Sequence, residues 1–116
     1  MKSVNCSLIS IDDLVGSQPM ACNALIDNHN VPIIVFRNQG VLHVYQNQCP
    51  HQGRRLDYAP GQFLCNNGLL ICAAHGASFA LDTGLCTQGP CRGESLIEYS
   101  VELYTKKNAI RVFQKN

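Results

Sequence analysis

Cys49-Pro50-His51-Gln52-Gly53 and, beyond a spacer, Cys72-Ala73-Ala74-His75-Gly76-Ala77-Ser78-Phe79 are the stretch on which the reading of this chain turns. The two loops, C-x-H and C-x2-H, each offer one thiolate and one imidazole. Four soft or borderline donors in two close pairs suit zinc or an iron-sulfur cluster, whereas calcium or magnesium would call for oxygen. The order of the donors separates the two options. Structural zinc sites usually present a Cys pair followed by a His pair or more Cys, because each pair grips one ion from one knuckle. Here each loop carries one of each, which fits two loops clasping a two-iron cluster, both cysteines on one iron and both histidines on the other.

On these motifs, with a glycine following each ligand pair and Gly89-Pro90 beyond the second, the chain resembles the Rieske [2Fe-2S] proteins. It is most similar to the small free-standing ferredoxins of ring-hydroxylating dioxygenase systems and to the nitrite reductase small subunit. The similarity is strongest over residues 49–93. It implies one Rieske-type [2Fe-2S] cluster with Cys49, His51, Cys72 and His75 as its ligands, and no catalytic residues. A Cys2His2 zinc module is the alternative that the donor set leaves open.

In a cluster so ligated, two ferric ions, two sulfides and two thiolates sum to zero charge, so reduction by one electron leaves a single negative charge. An all-cysteine cluster is more negative throughout. Adding an electron to the less negative centre is easier, and Rieske potentials accordingly span roughly −150 to +300 mV against about −400 mV for plant-type ferredoxins. Hydrogen bonds to the sulfurs set the position within that range, since each donor stabilises the reduced state. Respiratory members carry a serine and a tyrosine hydroxyl where this chain has Ala77 and Phe79, and a loop-clamping disulfide where it has Arg54 and Ala74. The resemblance therefore implies a potential in the lower part of the range. It also implies that His51 and His75 turn an edge to solvent and titrate, so that the midpoint rises as pH falls through the oxidised-state pKa.

The length predicts a single domain, residues 1–116, long enough to bury a core without disulfides. Nine Lys plus Arg against eight Asp plus Glu leave a formal charge of +1, with no basic run and no Arg-aromatic interleaving, which argues against nucleic acid as a partner. Asp12 and Asp13 stand where an export signal would need apolar residues, and no segment approaches a membrane span, so a cytoplasmic location without membrane attachment is expected. Seven cysteines are an odd count for a secreted scaffold. With Cys49 and Cys72 assigned to metal, Cys6, Cys22, Cys65, Cys86 and Cys91 read as small buried apolar residues. Cys86 and Cys91 flank Thr87-Gln88-Gly89-Pro90, a third loop over the cluster in related folds. They are candidates for a local disulfide or dithiol, against which a reducing compartment weighs.

Along the chain, Val4 to Ile9 alternates with Val4, Cys6 and Leu8 on one face, which predicts a half-buried strand. Ser10 and Asp13 have capping-box spacing and predict one helical turn. A strand is expected at 21–26, then a turn at Asp27-Asn28-His29-Asn30, then a hairpin of VPIIVFR and GVLHVYQN with Pro32 at a strand start or an edge. His29 in the turn and His43 among apolar neighbours stay outside the site. Arg54 and Arg55 read either as docking charges for an acidic partner or as a solvated turn, and Leu56 packs beneath the loop. Asn66-Asn67-Gly68 between apolar runs predicts a hairpin whose returning strand ends on Cys72. Ser78 to Leu81 is the next strand, and a closing hairpin pairs the alternating run 97–104 with 110–113. The expected fold class is therefore all-β. The resemblance to Rieske folds implies small antiparallel sheets, with a cluster-binding subdomain of about residues 46–91 inserted into the sheet that both termini build.

No G-x-G-x-x-G, no P-loop and no open metal position once four ligands are used leave the chain without a catalytic machine of its own. The resemblance implies a soluble one-electron carrier between a flavin- or NAD-linked reductase and an oxygenase or other oxidoreductase. Two readings compete with it. One is a largely architectural or electron-relay subunit of a larger oxidoreductase such as a nitrite reductase; the other is a zinc-stabilised interaction module.

Overall fold

A computed structural model of the chain describes residues 8–115 apart from 15, 17, 51–54, 58, 60, 67, 73–75 and 90. Among the described residues the expected all-β architecture is present, as two antiparallel sheets. The larger contains β1 (Leu8–Ser10), β2 (Met20–Ile26), β3 (His29–Asn38), β4 (Val41–Gln46), β9 (Glu98–Tyr104) and β10 (Ala109–Gln114), ordered β1-β10-β9-β4-β3-β2. The smaller runs β5 (Leu64–Asn66), β6 (Leu69–Ile71), β7 (Ser78–Ala80) and β8 (Cys86–Gln88) in chain order. It lies in the chain between β4 and β9, which are themselves paired through Val44 with Tyr99 and Tyr45 with Glu98. The inserted plan expected from the resemblance is thus the plan observed.

The strand β3 explains why the run VPIIVFR is almost uninterrupted in its apolar character. Side chains alternate across a strand, and here both faces are covered. Ile33 and Val35 enter one buried cluster with Ala24, Ile26, Val44, Ile110 and Val112. Ile34 and Phe36 enter another, with Tyr45, Leu56, Leu70, Phe79 and Leu81 from the cluster-binding half. Tyr45 fastens the two sheets: its ring is buried, and its hydroxyl donates to the Leu81 carbonyl oxygen at 3.1 Å. His43 stacks on Phe36 at 5.3 Å between ring centroids, a structural role consistent with its exclusion from the site.

The turns depart from the sequence reading in small, explicable ways. Asp27 and Asn28 take positive φ, 51° and 67°, which makes a two-residue turn whose twist matches the flanking strands. His29 is consequently the first residue of β3, paired with Ile26, rather than part of the turn. Pro32 pairs with Asn23 just before the pairing of β3 with β4 begins at Ile33, so its missing N–H disturbs no ladder on that side. In β1 the core side is Ile9, packed in the first buried cluster, while Leu8 is 43% exposed, the reverse of the expected facing. Val4 and Cys6 lie outside the described residues. Ser10 accepts from the Asp12 amide at 3.2 Å, but the chain makes only a turn there and not a helix. No helix among the described residues is long and apolar enough to cross a membrane.

Candidate metal centre

The first ligand loop leaves β4 under tight backbone control. Gln46 N donates to Ile97 O at 2.8 Å and Asn47 N to Pro32 O at 2.9 Å, so the loop is rooted on β3 and on the approach to β9. Asn47, 1% exposed, then reaches across the loop with its side chain. Its Oδ1 accepts the Leu56 amide at 2.7 Å and its Nδ2 donates to Asp57 Oδ1 at 3.1 Å. Asp57 also accepts a two-pronged bond from Arg55, at 3.0 and 2.9 Å, and the Gly61 amide at 3.0 Å. The loop bearing Cys49 is closed by these bonds, with Leu56 buried beneath it as expected.

Burial by itself would raise the pKa of Asp57, but the Arg55 fork, the Gly61 amide and the Asn47 amide outweigh it and hold the carboxyl at about 2. A depressed carboxyl contributes stability above its unfolded pKa, near 3.8, and loses it as pH falls toward 2. Asp57→Asn is expected to lower stability at neutral pH by on the order of 2 kcal/mol. In urea titrations the gap from the parent protein should narrow between pH 4 and pH 2; a constant gap would show that the charge is not what matters. Arg55 thereby braces the loop with its side chain 52% exposed, and Arg54 lies outside the described residues.

The second ligand loop is a tight connection between β6 and β7. Cys72 N donates to Ala77 O at 2.7 Å and Gly76 N to Cys72 O at 2.8 Å, which seals its base immediately beyond the Ile71–Ser78 pair. Cys72 is 0% exposed and Cys49 1%, both within one buried cluster. His51 and His75 lie outside the described residues. With two of the four expected ligands there, no group of three or more His, Cys, Asp or Glu among the described residues forms a metal site.

A third loop follows β8, a strand that the sequence reading left as loop, and it touches the second of the two loops. Gly89 lies against the Ala77 backbone, and the Cys91 sulfur lies 3.1 Å from that of Cys86. No disulfide joins the described cysteines. The five cysteines outside the expected ligand set divide: Cys86 and Cys91 are buried as expected, Cys22 is half-buried, Cys65 is exposed, and Cys6 falls outside the described residues. The sequence reading missed the Asn47–Asp57 brace. Its only trace in the sequence is an amide two residues before one ligand and a carboxylate eight residues after it.

Two buried, unbridged thiols, each at the root of its own loop, are donors for a soft metal centre and fit an iron-sulfur cluster. The family model for the Rieske [2Fe-2S] domain matches residues 9–113. This chain is a member of the Rieske [2Fe-2S] domain family. Its cofactor is accordingly a Rieske-type [2Fe-2S] cluster. Solved structures share the Rieske fold at low sequence identity. The ferredoxin of carbazole 1,9a-dioxygenase from Nocardioides aromaticivorans IC177 is 24% identical with a TM-score of 0.71, over 97% of this chain and 100% of that one. The terminal oxygenase of carbazole 1,9a-dioxygenase from Novosphingobium sp. KA1 is 17% identical with a TM-score of 0.76 over 97% of this chain. A structure of the reduced complex between oxygenase and ferredoxin in carbazole 1,9a-dioxygenase contributes a chain 15% identical, also with a TM-score of 0.76. This Rieske chain spans only about 30% of the terminal oxygenase chain. No curated protein sequence matches it.

Proposed function

We propose that this chain carries single electrons from a flavin- or NAD-linked reductase to an oxygenase or another oxidoreductase, with Cys49 and Cys72 on one iron and His51 and His75 on the other. The observation that carries the reading is the placement of Cys49 and Cys72, each buried at the base of its own hydrogen-bonded loop within a Rieske fold. A dioxygenase ferredoxin, matched over its whole length, supports the carrier role over the architectural one. When bound, the cluster takes up and releases one electron without a change in ligation. The chain's part is to hold its donors still. Cys72 is fixed by two backbone bonds and the first loop is closed by Asn47 and Asp57, so little needs to reorganise when charge arrives. Burial of both thiols keeps water from their sulfurs, and a groove lined by Pro50, Ser95 and Ile97 opens beside Cys49 for an incoming partner.

Ala77 and Phe79 are both fully buried and offer no hydroxyl to a sulfur, so the midpoint is expected in the lower part of the roughly −150 to +300 mV Rieske range. A redox titration that places it above about +200 mV would overturn this expectation. The function itself is tested by anaerobic purification, assay of iron and acid-labile sulfide, and electron paramagnetic resonance of the reduced protein, followed by reduction with candidate flavin-dependent reductases. A low average g and rapid reduction by one of them support the carrier role. Bound zinc without sulfide, or a cluster that no reductase reduces, refutes it.

A further inference from the structure

Two sulfurs behind the first ligand loop have no part in the carrier reading. Cys86 opens β8 and Cys91 lies in the turn after it, at 1% and 0% exposure. Cys86 N donates to Glu94 O at 2.7 Å and Gly93 N to Cys86 O at 3.1 Å, and the loop so closed holds Cys91 Sγ 3.1 Å from Cys86 Sγ. A disulfide needs about 2.05 Å, a shift of roughly 1 Å from this contact. Cys86 donates its S–H to Gln88 O at 3.1 Å, which leaves its sulfur as an acceptor. Cys91 in turn donates its S–H to the Cys86 sulfur, so the two sulfurs already face each other.

We propose that Cys86 and Cys91 are a dithiol pair that hydrogen peroxide closes to a disulfide. One thiol sulfur attacks hydrogen peroxide, the O–O bond breaks, and a sulfenic acid and one water result. The other sulfur then forms the S–S bond as the sulfenic oxygen leaves with the remaining thiol proton as a second water. Two electrons pass from the sulfurs to the peroxide, and two waters are released. A small neutral oxidant suits sulfurs that a bulky disulfide does not reach.

The test treats the reduced holoprotein with hydrogen peroxide, removes the excess with catalase, then denatures, alkylates and digests with trypsin. Residues 56–92 form one tryptic peptide carrying Cys65, Cys72, Cys86 and Cys91, while Cys49 lies in peptide 38–54. The expected product is peptide 56–92 two hydrogens lighter, alkylated on Cys65 and Cys72 alone, and restored by dithiothreitol. Cys91→Ser and Cys86→Ser should each show no two-hydrogen loss in this peptide after the same treatment, and the second serves if the first does not fold. Sulfinic or sulfonic acid at either position, peptide 56–92 joined to 38–54, or both thiols still alkylated would overturn the pairing. A protein that takes up no cluster overturns the carrier reading instead, since the peptide masses report the pairing independently.

Discussion

Cys49→Ala and Cys72→Ala proteins are each expected to fold and yet to hold no [2Fe-2S] cluster after anaerobic reconstitution with iron and sulfide. Both side chains are buried in the cluster that joins the two sheets, where a thiol behaves as a small apolar group. Removing one sulfur leaves a small cavity that costs about 1 kcal/mol, too little to undo a cooperative fold of this size. The effect on the metal is of another order, because each thiolate is one of only two negative side-chain donors in the proposed set, and one bond from one iron is gone with it. Circular dichroism checks the fold, and iron and acid-labile sulfide per chain check the cluster. His51→Ala and His75→Ala probe the other half of the proposed ligand set in the same assay. A cysteine variant with the parent protein's full complement of iron and sulfide would show that the ligand is misassigned.

Among the described glycines, Gly89→Ala should be the most damaging change to alanine, and Gly93→Ala is its control. Both glycines have positive φ, 101° and 93°, so both alanines pay for a backbone conformation that L-residues avoid, on the order of 1–2 kcal/mol. They differ in what the added carbon meets. At Gly93 nothing lies within 4 Å, whereas at Gly89 it would sit 2.7 Å from the Ala77 Cα and 3.1 Å from the Ala77 nitrogen. Those are backbone atoms and cannot swing aside. The third loop must lift off or the second ligand loop must move, and Ala77 is the residue whose carbonyl accepts the Cys72 amide. Urea titrations should show Gly89→Ala destabilised by about 3 kcal/mol or more, at least 1 kcal/mol beyond Gly93→Ala. Cluster content should fall in the first variant alone. Equal losses in the two would mean that the contact with Ala77 carries no weight.

How far the sequence disclosed this molecule depended on whether the governing interaction was local. The Asn-Gly step after Asn66, the alternation of the chain's last third and the β-branched run of β3 are local signals, and the strands formed where those signals placed them. The placement of Cys72 at the end of a returning strand was equally legible, since the hairpin that begins at the Asn-Gly step closes on β6, which ends at Ile71. Facing and bracing were less so. Leu8 and Ile9 are both apolar, and only the pairing of β1 with β10, nearly a full chain length away, decides that Ile9 turns inward. The bond from Asn47 to Asp57 joins side chains ten residues apart across a loop, a relation with no periodicity to betray it. Arg55 read either as a docking charge or as a solvated turn for the same reason, since the carboxylate that holds it becomes its partner only when the loop closes. β8 is three residues long, two of them exposed, and carries no alternation to detect.

The double-sided burial of β3 limits what can be done with this scaffold. A single residue inserted in that strand would exchange the positions of Ile33 and Val35 with those of Ile34 and Phe36, overfilling one interior with Phe36 and leaving a void in the other. For the same reason the cluster-binding half is not a detachable cassette. Anyone transplanting it into another host would have to bring β3 and β4 along as its floor, or supply an equivalent two-faced strand beneath Tyr45 and Phe79.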